Sequence, residues 1–138
     1  MVLWVAAGVV LPTWAATAQA QMALSAAINV SGSFRALSQR MAKAYCQQHL
    51  QVMPLAALDV LAKVRKQAQA GAADLAKGST AGAWPADLSR QLEEVQKQYT
   101  VLNTLTATAP SKASAAAVAE QADRMMTAAQ TATESLEK

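Results

Sequence analysis

Three prolines, Pro54, Pro85 and Pro110, divide the chain beyond its first twenty residues into four stretches. A proline lacks a backbone donor and clashes with the preceding turn, so it ends one helix and suits the first turn of the next. Each stretch carries apolar residues at intervals of three and four, the period of a helix with one buried face. In the first, from about residue 24 to 50, the stripe is Val30, Phe34, Leu37, Met41 and Ala44. The second, from about 55 to 77, carries Leu58, Leu61, Val64, Ala68 and Leu75, with Gly71 weakening its latter half. The third begins at Pro85 and repeats Leu88, Leu92, Val95, Tyr99, Leu102 and Leu105; the fourth, from about 112 to 137, presents Val118, Ala122, Met125, Ala129, Ala132 and Leu136. No run alternates as a strand would. The expected fold is all-α, an up-down-up-down antiparallel four-helix bundle with helices of similar length, about 33–40 Å each.

Between the second and third stretches, Gly78 to Pro85 reads as a loop, and Trp84 within it is expected to close one end of the bundle. Asp59 with Lys63, and Glu93 with Lys97, are spaced as helix-surface ion pairs. The alanine-rich fourth seam calls for close helix approach, and pairing of two copies along the first and fourth helices would bury more surface.

Residues 1–20 read as an export signal. An apolar run to Trp14 is followed by Ala18-Gln19-Ala20, a small-x-small site, so cleavage is expected before Gln21 and the folded domain over 21–138. The run is too short for a comfortable membrane span, but no Lys or Arg precedes it as export signals usually require, so an uncleaved anchor is the alternative reading. This points to a periplasmic protein without a cytoplasmic part, dependent on a separate membrane-bound partner for any signalling.

The formal charge of +3 is mild, and beyond the first helix basic and acidic residues alternate with few aromatics, which argues against nucleic acid as a partner. Cys46 is the sole cysteine and reads as an inert, buried thiol. His49 is the sole histidine, so Cys46 and His49 make too few ligands for zinc, and no nucleophile elbow surrounds any serine. A b-type haem on His49 and one of Met41, Met53, Met125 or Met126 competes with the simpler reading of those methionines as core. The expectation is a non-enzyme with no cofactor.

The first helix is unusual in its charge. No acidic residue occurs before Asp59, so Arg35, Arg40 and Lys43 have no carboxylate on their own helix. Asn29, Ser33, Ala36, Arg40 and Lys43 share one face, and Ile28, Ser31, Arg35, Ser38 and Ala42 another. A guanidinium among small neighbours such as Ser31 and Gly32 suits the two oxygens of a nitrate, carboxylate or phosphate.

The same stretch, I-N-V-S-G-S-F-R-A-L-S-Q-R-M from Ile28 to Met41, resembles the signature of the N-terminal sensory domain of type IV pilus methyl-accepting chemotaxis transducers, the PilJ type. Ile28, Asn29, Gly32, Arg35, Leu37, Ser38, Gln39, Arg40 and Met41 match that pattern, while Ser33, Phe34 and Ala36 depart from it. It is also similar to the first periplasmic helix of NarX-like nitrate and nitrite sensors, which Ser33 matches. That resemblance implies that Arg35 contacts a small anion at a symmetric homodimer interface, with Asn29, Gly32, Ser38 and Arg40 around it. Two functions follow as expectations: a stand-alone periplasmic sensory module that binds a nitrate-like anion, or a structural or protein-interaction bundle with no small ligand.

Overall fold

The computed structural model describes the backbone of residues 13–80 and 84–138, and the side chains of 24–79 and 84–138. Four helices follow one another: α1 (Thr13–His49), α2 (Pro54–Thr80), α3 (Ala86–Leu105) and α4 (Lys112–Leu136). There is no strand among the described residues. Across the α1–α4 seam Arg35 meets Gln130, Gln39 meets Asp123 and Cys46 meets Ala115, so one number falls as the other rises and the helices are antiparallel. Arg65 of α2 donates to Asn103 of α3, and Gln121 of α4 donates to Gln98 of α3. The bundle expected from the sequence is the one observed, with α1 packed most extensively on α4 and, among helices consecutive in the chain or closing the bundle, α2 least on α3.

The helices are less equal than expected. α1 has 37 residues and α3 only 20. The described part of α1 reaches back to Thr13, over T-W-A-A-T-A-Q-A-Q-M-A-L, which offers alanines and no glycine or proline to interrupt it. It therefore runs through the expected cleavage point, while residues 1–12 of the expected export signal lie outside the described residues. At the other boundary α2 continues through Gly78, Ser79 and Thr80, which shortens the expected loop from its front; residues 81–83 of that loop lie outside the described residues.

The seams of α3 and α4 are buried as expected, apart from Leu105, which is half-buried. In α2 the seam starts one residue earlier than expected: Ala57 is buried and Leu58 is 55% exposed, because the register fixed by Leu61, Val64 and Ala68 selects position 57. The ring of Phe34 reaches across the bundle to Tyr99 of α3, with centroids 5.9 Å apart. Gly71 of α2 makes room for it: a Cβ there would stand 3.2 Å from Val30 and 3.4 Å from Phe34. Burial pushes the Tyr99 hydroxyl above its ordinary pKa, partly opposed by the Arg65 guanidinium. Asp59 and Lys63 pair at 2.7 Å as expected, but Lys97 meets Glu94 rather than Glu93, at 3.8 Å. Cys46 is half-buried, its Sγ 4.0 Å from the Ala115 carbonyl oxygen.

Local capping fixes the turns. Ser111 accepts from the Ser114 backbone N–H, and the Ser114 hydroxyl in turn accepts from Ser111 N–H, a reciprocal cap that starts α4 after Pro110. Tyr45, fully buried, has its hydroxyl oxygen 3.0 Å from the Thr108 carbonyl oxygen, to which it can donate, and 2.9 Å from Ser114 Oγ, tying α1 to this loop.

At the end of α1, Val52 N–H bonds Gln47 O and Gln51 N–H bonds Gln48 O, the paired bonds of a Schellman stop. Its left-handed position normally takes glycine, yet here Gln51 adopts φ 57°, and Met53 adopts φ 48° two residues on. Gln51→Gly should therefore stabilise the fold by about 0.5–1 kcal/mol, read as a rise in the denaturation midpoint at an unchanged slope. The same turn leaves Leu50, Val52, Met53 and Leu55 exposed, Leu55 by 83%.

Candidate functional site

The α1–α4 seam is lined by small residues. Ser31, Ser38 and Ala42 of α1 and Ala122, Ala129 and Ala132 of α4 are buried, and short side chains let two helix backbones approach closely. Into this seam α1 projects one long cationic side chain, Arg35.

Arg35 is half-buried. Its Nη1 donates to Gln130 Oε1 of α4 at 2.5 Å, and its Nε bonds weakly to the Gly32 carbonyl at 3.4 Å, one turn back on its own helix. Gly32 lies beside the guanidinium, and a Cβ there would make only ordinary contact with Arg35 Nη2, at 3.5 Å. Gln130 in turn donates through Nε2 to Glu134 Oε1 at 2.5 Å, so a carboxylate lies one amide away. Arg35 makes no ion pair with a carboxylate among the described residues. A planar cation held by a neutral amide retains donors suited to an oxyanion.

Ser31 and Ser38 flank Arg35 on the same face. Ser38 is fully buried and its hydroxyl donates to the Arg35 carbonyl at 3.0 Å. Ser31 is also fully buried, but its Oγ has no hydrogen-bond partner. A buried hydroxyl without a partner forgoes stabilisation that a polar ligand or a rotated neighbour would restore.

The five expected site residues thus divide. Gly32, Arg35 and Ser38 come together at the seam. Asn29 and Arg40 are exposed, on the face shared with Ser33, Ala36 and Lys43, about 120–140° around the helix from Arg35. Within one chain they do not meet the guanidinium. Sequence reasoning missed Gln130 and Glu134, whose only signal is indirect: antiparallel pairing across ninety-five positions sets Gln130 opposite Arg35. It also missed Gln39, which donates to Asp123 Oδ1 at 3.0 Å and ties α1 to α4 at the surface.

Met41 and Met125 are core, Met53 and Met126 are exposed, and His49 sits in the last turn of α1 beside Gln51 and Pro54. No cluster of metal-ligating side chains occurs among the described residues, and no helix there is long and apolar enough to cross a membrane.

Comparison with curated proteins and with solved structures finds no match to either. A family model does match, that of the type IV pili methyl-accepting chemotaxis transducer N-terminal region, over residues 16–134, which takes in all of α2 and α3 and nearly all of α1 and α4. With the four-helix bundle and the Ile28–Met41 signature on α1, this match makes the chain a member of the PilJ family of chemotaxis-transducer N-terminal domains.

Proposed function

We propose that this domain is a periplasmic sensory module that takes a small planar oxyanion of the nitrate class at Arg35 and passes the change to a membrane-bound signalling partner. One observation carries the reading: a half-buried guanidinium on the family signature helix has an amide, not a carboxylate, as its partner. An anion arriving here exchanges for Gln130 Oε1 without first breaking an ion pair, and the buried Ser31 hydroxyl lies one turn away. Because Gln130 belongs to α4, that exchange alters the α1–α4 contact, the helix pair whose relative position a sensor of this shape would report. Asn29 and Arg40 enter only if two copies pair along the exposed face of α1, which makes a homodimer part of the proposal.

The test is thermal unfolding of the chain against nitrate, nitrite, formate, acetate and phosphate at constant ionic strength. A ligand at 100 times its dissociation constant adds about 2.7 kcal/mol, which should raise the midpoint by roughly 8–15 °C. Arg35→Ala should abolish the selective rise while leaving a folded chain, and Arg35→Lys should keep only part of it, because a point charge cannot make the forked contact. A flat response across the panel from folded protein rules out these anions as ligands.

A second reading, a protein-interaction bundle without a small ligand, is favoured by the α1–α2 turn. Leu50, Val52, Met53 and Leu55 stand exposed there on a backbone strained at Gln51 and Met53. That reading anticipates the flat anion response and loss of partner capture when these side chains are made polar.

A further inference from the structure

Gln130 stands between two opposite charges. The Arg35 guanidinium can only donate and the Glu134 carboxylate accepts, so the amide between them is held in one orientation, Oε1 toward the cation and Nε2 toward the anion. Two hydrogen bonds of 2.5 Å and the width of one amide group separate the charged groups, a span of at most about 7 Å. Glu134 is exposed, and no Lys or Arg pairs with it directly among the described residues. Its carboxylate therefore acts on whatever sits at Arg35.

A forked guanidinium recognises pairs of oxygens, and by shape alone it accepts nitrate, formate or one face of sulfate. Shape leaves the charge of the ligand open. Repulsion from a neighbouring carboxylate grows in proportion to the charge of the arriving ion, so it weighs twice as heavily on a dianion as on a monoanion. We propose that Glu134 is the charge filter of the Arg35 site: it holds Gln130 on the guanidinium until an anion exchanges for it, and it restricts that anion to small oxyanions of single charge, against sulfate and hydrogen phosphate. The inference rests on the anion reading of Arg35 given above and narrows its ligand class. At about 7 Å and with the strong screening of an exposed group, the repulsion corresponds to roughly a threefold loss of affinity per unit of ligand charge.

The test is titration calorimetry of the whole chain with nitrate and with sulfate at constant ionic strength, in wild type, Glu134→Gln, Arg35→Ala and Glu93→Gln. Glutamine at position 134 keeps an acceptor for Gln130 Nε2 and removes the charge, while Glu93, exposed on α3, gives the same change of net charge away from the seam. Wild type should prefer nitrate. Glu134→Gln should tighten nitrate about threefold and sulfate about tenfold, so the preference falls about threefold, and Glu93→Gln should leave it unchanged. A shift in the seating of Gln130 alone would move both anions together, so the ratio of the two affinities reports charge. An unaltered ratio in Glu134→Gln, no gain of sulfate binding there, or an equal fall in Glu93→Gln would overturn the filter, and nitrate binding that Arg35→Ala abolishes would still uphold the Arg35 reading. Failure of both wild type and Glu134→Gln to bind either anion would overturn the two together.

Discussion

Phe34→Ala should lower the thermal midpoint by roughly 10–20 °C, among the largest losses expected from a single truncation in the bundle. Phe34 is fully buried and touches three helices: its ring sits on α1, meets Tyr99 of α3 across the diagonal, and occupies the space that Gly71 of α2 leaves open. The neighbouring core is poor in volume to move inward, since α4 contributes Ala115, Ala122, Ala129 and Ala132 to it. Collapse around the missing ring is therefore limited, and the cavity cost adds to the lost transfer energy, together about 3–5 kcal/mol. Phe34→Leu should recover more than half of this, because it restores most of the apolar volume. Leu55→Ala, at an exposed position, should change stability by less than about 0.5 kcal/mol. A Phe34→Ala chain that melts within a few degrees of wild type would mean that the centre of the bundle is not where this ring lies.

The prominence of Phe34 bears on what the sequence disclosed. It is one of the positions where the chain departs from the pilus-transducer pattern, yet periodicity alone put it on the buried stripe with Val30, Leu37 and Met41. Helical seams were legible because they depend on residues close in sequence. The α4 seam from Val118 to Leu136 is buried throughout, and its start is marked by Ser111 after a proline. Leu58 was misassigned for a related reason: with alanine and leucine adjacent, hydrophobicity favours the larger, while the register of the following turns buries the smaller.

The candidate site was legible only in half. That Arg35 stands among small neighbours follows from one helix. That its partner is Gln130 follows from the antiparallel register of helices at opposite ends of the chain, which no local pattern encodes. Gly71 and Gly78 show the same limit. Each reads locally as a weak point or a loop, and each proves to be a space that an aromatic side chain from elsewhere occupies.

Gly78→Ala carries this argument to the second large effect. In an exposed helix the change would stabilise by about 1 kcal/mol, since alanine is the better helix former. Here the added Cβ would overlap the indole of Trp84, with ring atoms at 2.0, 2.4 and 2.9 Å, and a rigid ring braced against α2 cannot yield as a flexible chain end would. The indole must leave, exposing the apolar surface it covers, so the net expectation is a loss of roughly 2–4 kcal/mol. Trp84→Ala alone should cost about 3–5 kcal/mol. The double variant should be no less stable than Trp84→Ala and somewhat more so, because once the ring is gone only the helix-forming advantage of alanine remains. Such non-additivity, measured by denaturant unfolding of the four chains, would identify the two residues as one packing unit. Additive losses would show that Gly78 matters for its backbone and not for the ring above it.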